Sequence, residues 1–307
     1  MSFRGQLLKA GISSDGIDVD IINGVLTARN VIQPIGNVYY VNDAVSASGS
    51  GNSWANAYKT IAEAVTVVNG RITWSDSPWA TNDVIAVAPG NYPENLTALP
   101  YGATITGMGN FRDLNGEHGV VIQPVSGSPV DVTSAINCTI ENICFHAPTD
   151  AGTEVLFQAD NFNRVRMRNC AFQGVPGASP TTLRGFEVVK DMTGSTLDNC
   201  WFNQIKSSIY LVADNANSKQ ITGDTLNRIA ITGCDTVGIY FDINCVPSNT
   251  VVTNSNIGDN GTTLALGIDD NTDIVTCFNT NFIATANDPA TGSGKYNNCY
   301  LNGSLLA

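Results

Sequence analysis

This chain carries little charge. Lys, Arg, Asp and Glu make up 14% of its 307 residues, and acids outnumber bases to a net charge of −12. Phosphate recognition needs clustered Lys and Arg, so direct nucleic-acid binding is not expected. Histidine occurs only twice, as His118 and His146, and there is no Cys-x-x-Cys pair. Zinc sites draw on such groupings, so the expectation is no metal and no cofactor. No apolar run reaches the roughly 18 residues that a membrane-spanning helix needs, so no membrane partner is expected. The opening residues Met1-Ser2-Phe3-Arg4-Gly5-Gln6 are not followed by the apolar core of a secretory signal. The reading is a protein made in the cytoplasm that stays there or leaves by another route.

What the chain has instead is a short recurring unit. It reads Val165-Arg166-Met167-Arg168-Asn169-Cys170-Ala171-Phe172, then Thr196-Leu197-Asp198-Asn199-Cys200-Trp201-Phe202, with Thr139-Ile140-Glu141-Asn142-Ile143-Cys144-Phe145 before them. Weaker copies surround Ile229–Cys234, Val251–Ile257, Thr280–Ile283 and Tyr296–Leu301. Each is an alternating strand, a small turn-former, then Cys or an apolar residue, and usually an aromatic. Positions equivalent to Asn142 are read as Asn169, Asn199, Gly233, Asn254, Thr280 and Asn298. A constant motif at irregular spacing predicts a solenoid whose coils differ in their loops. Like residues then stack over like residues, roughly 4.8 Å apart. Asn142, Asn169 and Asn199 are expected to form a hydrogen-bonded ladder, with Cys170, Cys200, Phe145, Phe172 and Phe202 filling the interior. The fold class is all-β, a single-stranded right-handed parallel β-helix with a short N-terminal capping helix and an N-terminal arm. The eight cysteines are read as buried, reduced thiols at one repeat position rather than a disulfide framework.

Residues 1–36 stand outside the repeat as the arm, and 37–307 form the helix body. Two alternating runs flank Asn23-Gly24, a strong hairpin signal. An isolated hairpin is marginal in water, so it needs a surface to pair with. Ile17, Val19, Ile21, Val25 and Leu26 are the anchoring candidates.

From residue 38 the chain carries a more specific order. Tyr40-Val41 is a strand, Gly49 to Asn52 a loop, and Tyr58-Lys59-Thr60-Ile61-Ala62-Glu63-Ala64-Val65 a helix entered through a Thr-x-x-Glu capping box. Asp83 to Tyr92 is a strand closed by Pro89-Gly90. This order resembles the start of pectin-lyase-like right-handed β-helix domains, and with the later Asn-Cys-x-Phe units the resemblance covers roughly residues 38–301. It implies the fold, with the short helix plugging the open end of the solenoid. It does not imply one activity, because lyases, hydrolases, phage tailspikes and non-enzymatic surface proteins share the fold.

Lyases and hydrolases of this fold use acidic clusters, and this sequence offers few candidates for one. Glu187-Val188-Val189-Lys190-Asp191 sets Glu187 and Asp191 on one strand face, and these are the catalytic candidates if the chain is an enzyme. Asp269-Asp270-Asn271-Thr272-Asp273 has the composition of a calcium loop without its spacing. Arg164, Arg166 and Arg168 form a basic stripe expected to pair with acids on a neighbouring coil or subunit. The main expectation is a non-enzymatic virion structural protein, a phage capsid-decorating or surface protein held by its arm. By analogy it is a homotrimer, with other virion proteins and host-surface carbohydrate as partners. The alternative is a polysaccharide-degrading enzyme, a lyase or glycoside hydrolase of tailspike type.

Overall fold

The computed structural model describes residues 18–22, 25–29, 36–72, 82–112, 118–147, 155–175, 183–212, 219–233, 236–241, 245–248, 250–258, 266–270, 276–283, 290–291, 295–301 and 304–305. From residue 38 onward these form a right-handed parallel β-helix of three sheets with ten, ten and nine strands. Each coil crosses the sheets in turn. Thr139–Glu141 lies in sheet I, Ile143–His146 in sheet II and Val155–Asn163 in sheet III; the next coil repeats this with Arg166–Arg168, Ala171–Gln173 and Arg184–Thr193.

Alternation decides which side chains go inside. In sheet I, Ile140, Met167 and Leu197 are in register and buried. In sheet II, Phe145, Phe172 and Phe202 are in register, with ring centroids 5.3 and 4.5 Å apart. In sheet III, Phe157 stacks on Phe186 at 5.5 Å. The three inner columns meet in one apolar core running the length of the solenoid.

The bend between sheets I and II needs a left-handed residue, which Asn tolerates better than most. Asn142, Asn169, Asn199, Arg228, Asn254, Asn279 and Asn298 all have φ between 48° and 59°. Their side chains chain together: Asn169 Nδ2 donates to Asn142 Oδ1 at 3.0 Å, and Asn199 Nδ2 to Asn169 Oδ1 at 2.7 Å. At Arg228 the column steps sideways, because Asn254 Nδ2 donates to Asn227 Oδ1 instead, at 3.0 Å. The ladder resumes from Asn279 to Asn254 and from Asn298 to Asn279. The bend positions are therefore Arg228 and Asn279, where spacing had pointed to Gly233 and Thr280. Replacing Asn169 by Ala should cost about 2–3 kcal/mol, from left-handed strain and two lost hydrogen bonds. Asn169→Gly should recover the strain part. Equal denaturant midpoints for the two variants would refute that division.

The residue after the bend explains the cysteines. Cys170, Cys200 and Cys299 each direct Sγ to the carbonyl two residues back, at 3.5, 3.8 and 3.5 Å. Ser255 and Thr280 make the same bond with their hydroxyls, at 2.8 and 3.0 Å. Five of the seven residues that follow these bends are small donors of this kind, and Ile143 and Ile229 fill the other two places with buried apolar side chains. Cys144 is one residue out of step. It lies opposite Ala171 on the outer side of sheet II, in a satellite cluster under Phe111 and Trp201. Cys138 and Cys277 occupy other interior positions. Six cysteines, Cys138, Cys144, Cys170, Cys200, Cys277 and Cys299, are buried. Burial pushes the Cys138 thiol up to about 12, which leaves it unreactive.

The bend from sheet III to sheet I carries a second polar column. Ser195 Oγ accepts from the Val165 N–H at 3.1 Å, and Asp224 Oδ1 accepts from the Ser195 N–H at 2.7 Å. Asp224 is 1% exposed, and its Oδ2 has no hydrogen-bond partner.

The cap helix, Ile61–Gly70, closes the first coil. Its buried face is Ile61, Ala64, Val65 and Val68, and Thr60 and Glu63 form the reciprocal capping box. Glu94 also reaches across to accept from the Ile61 and Ala62 N–H groups at 2.8 and 2.9 Å. That places a carboxylate from the solenoid on the positive end of the helix. Arg71, just past the helix, pairs with buried Asp83 at 2.7 Å.

The arm contains an antiparallel hairpin of strands Asp18–Ile22 and Val25–Arg29. Val19 and Ile21 stand opposite Ala28 and Leu26, and Val25 opposite Ile22. The two strands make a sheet of their own, unpaired with the three solenoid sheets. Ile17 and the Asn23-Gly24 turn lie outside the described residues.

Candidate functional site

The outer face of sheet III gathers the most varied chemistry among the described residues. Strands Val130–Ile136, Val155–Asn163, Arg184–Thr193, Ser207–Leu211 and Val237–Phe241 run side by side. Their registers align Asp131 with Gln158, Gln158 with Glu187, Glu187 with Tyr210, and Tyr210 with Tyr240. Each has buried apolar neighbours on either side in sequence, so alternation turns all five outward. Four strand spacings make this column about 19 Å long.

Glu187 sits at its centre and is only 6% exposed. Its Oε1 accepts from Arg184 Nη1 at 2.6 Å. Burial raises its carboxyl above the usual carboxylate range, and the Arg184 guanidinium works in the opposite direction. The Arg184 guanidinium carbon also lies over the Tyr210 ring, 3.9 Å from its centroid. Tyr240 stacks on the other side of Tyr210 at 4.3 Å and 10°. Both faces of the Tyr210 ring are thus covered, and the phenol edge is what it presents outward. Two residues before Tyr210, Ser208 is fully buried and its hydroxyl has no hydrogen-bond partner.

Glu187 and Asp191 lie on one strand, on either side of an irregularity in its pairing. The register shifts between them: Ala159 faces Val188, Asn161 faces Asp191, and Asp160 alone spans Val189 and Lys190. This bulge bends the strand and re-aims the residues beyond it. Glu187 has Arg184 as its partner, while Lys190 Nζ reaches Asp160 Oδ2 at 2.8 Å. Asp191 lies past the bulge, half-buried, opposite Asn161.

The arginine stripe divides as well. Arg164 has φ 54° and sits in the bend, while Arg166 and Arg168 share the outer face of sheet I. Arg168 pairs with Glu141 on the preceding coil. His118 is exposed and His146 is buried against Gln123. Asp269 and Asp270 lie in strand Leu266–Asp270, and Asn271 to Asp273 are outside the described residues. No grouping of three or more metal-ligating side chains occurs among the described residues.

Sequence reasoning missed Asp131, Gln158, Arg184, Tyr210 and Tyr240. One signal was available: Ser208-Ile209-Tyr210-Leu211 and Gly238-Ile239-Tyr240-Phe241 repeat a buried-outward-buried pattern around a tyrosine.

No protein-family model matches the chain, and no curated protein matches it. Solved structures do. A pectin methylesterase from Aspergillus niger is 17% identical with a TM-score of 0.54, covering 88% of this chain and 87% of that one. Pectin methylesterase PemA from Erwinia chrysanthemi is 12% identical with a TM-score of 0.53, covering 88% and 90%. A pectin methylesterase from carrot is 12% identical with a TM-score of 0.54, covering 88% and 85%. At such identities the likeness establishes the right-handed parallel β-helix and nothing finer.

Proposed function

We propose that this chain acts on a polysaccharide laid along the outer face of sheet III, with Glu187 as the group that exchanges a proton with it. One observation carries the reading. A single in-register column presents a buried carboxylate flanked by an amide and a phenol, with a guanidinium fixed beside it. Such a column offers hydroxyl-matching donors and acceptors at a regular spacing, which suits an extended, repeating ligand. The three solved structures of like fold named above are pectin methylesterases, which supports the direction of the reading without specifying the reaction.

The test is a polysaccharide panel read for binding, for new reducing ends and for released ester groups. Glu187→Gln should keep binding and lose turnover by on the order of 100-fold. Tyr210→Ala should weaken binding, because it removes both a hydroxyl and the support for Arg184. A panel on which wild-type protein neither binds nor turns over anything would overturn the reading.

One observation favours a second role alongside it: the hairpin of the arm pairs only with itself among the described strands. Such a sheet is a ready surface for attachment to another subunit or to a virion. Deleting residues 1–36 should then leave a folded, β-rich body that no longer enters its assembly, as read by circular dichroism and light scattering. An unfolded product would make the arm part of the core instead.

A further inference from the structure

We infer that the polysaccharide taken by this face is uncharged, not a polyuronate. The inference rests on the reading of sheet III as the binding face. Three carboxylates, those of Asp131, Asp160 and Glu187, lie with the two cations Arg184 and Lys190 on its strands. Both cations are already matched to acids of the same face, Arg184 to Glu187 and Lys190 to Asp160. Arg184 is held further by the Tyr210 ring beneath it.

A polyuronate brings one carboxylate per sugar. To bind here, it would have to draw Arg184 away from a buried Glu187, leaving that carboxylate without its partner. The cost of an uncompensated buried charge exceeds what a half-exposed guanidinium gains from a new carboxylate in water. A further uronate along the column would then face Asp131, with like charges repelling. The net charge of −12 over the whole chain adds a long-range term of the same sign.

A neutral sugar meets none of this. Its hydroxyls can donate to Asp131 and to Glu187 without displacing Arg184, and both donate to and accept from Gln158 and the phenols of Tyr210 and Tyr240. With both faces of Tyr210 covered, the recognition is by hydrogen bonds along the column rather than by sugar stacking on that ring.

The experiment uses backbones that differ only in charge: hydroxyethyl against carboxymethyl cellulose, and carboxyl-reduced polygalacturonate against polygalacturonate itself. Full-length protein and its Tyr210→Ala variant are compared by affinity electrophoresis at low and high salt. The expected result is tighter binding of the neutral member of at least one pair, by about tenfold at low salt. The gap should narrow as salt screens the repulsion, and Tyr210→Ala should weaken the binding. Equal or tighter binding of the anionic member, still weakened by Tyr210→Ala, would overturn the charge inference and leave the binding face standing. Binding that Tyr210→Ala does not alter, or binding to none of the four, would remove the face itself and the inference with it.

Discussion

Replacing Phe172 by Ala should destabilise the protein by about 3–5 kcal/mol. Phe172 is fully buried at the middle of the interior column. Its ring is nearly parallel to that of Phe202, at 3° and 4.5 Å, and stacks on Phe145 from the other side at 5.3 Å. It meets Phe186 of sheet III edge-on at 6.3 Å. In a globular core, neighbours can settle into the space left by a deleted ring. Here the coils are held apart by the parallel hydrogen bonds of all three sheets, so Phe145 and Phe202 cannot close the gap. The loss should therefore fall at the upper end for a core substitution. It should appear as a lower denaturant midpoint, and the slope should fall too if the solenoid splits into two cooperative parts at the weakened coil. Phe172→Leu should cost less than half as much. A loss under about 1 kcal/mol for Phe172→Ala would mean that the column relaxes, and the rigid-spacing argument would fail.

Stability should also fall as pH rises from about 4 to 8, because of Asp224. Burial raises its carboxyl from 3.8 to about 7, against the smaller opposing effect of the backbone N–H bonds it accepts. The folded value lies above the unfolded one, so the folded state holds the proton more tightly. The contribution is fully present below about pH 4 and is lost as pH rises through about 7. Its size is on the order of 4 kcal/mol, from roughly 1.4 kcal/mol per pH unit across that window. The physical source is Asp224 Oδ2, buried with no donor to meet its charge. Asp224→Asn keeps the shape and removes the titration. The variant should match wild type near pH 4, exceed it near pH 8, and show a shallower fall between. Parallel thermal-unfolding profiles for the two proteins would place the pH dependence elsewhere.

The solenoid was legible because its signals are local. Alternation at Thr139-Ile140-Glu141 or Thr196-Leu197-Asp198 depends on neighbours in sequence, and stacking then repeats one coil's choice in the next. Asn at 142, 169 and 199 marks a left-handed bend that few other residues enter cheaply. The signal failed where the backbone no longer needed Asn. Arg228 takes the same conformation, and its guanidinium pairs with Asp198 on the coil before. That contact between coils offsets the strain, and no short window of sequence contains it. Cys144 misled for a related reason: Asn142-Ile143-Cys144 inserts the interior residue first, so the thiol turns outward.

By itself, then, the amino-acid sequence determined the coil, its interior columns and the helix that caps it. Strand period, left-handed tolerance and the capping box are properties of a few adjacent residues. Only the tertiary structure decided what the outside of sheet III does. Asp131, Gln158, Glu187, Tyr210 and Tyr240 come from five coils joined by loops of unequal length. Their alignment follows from hydrogen-bond register rather than from spacing along the chain. The irregular pairing opposite Asp160 separates Glu187 from Asp191 along the strand, and Arg184 of the same strand pairs with Glu187.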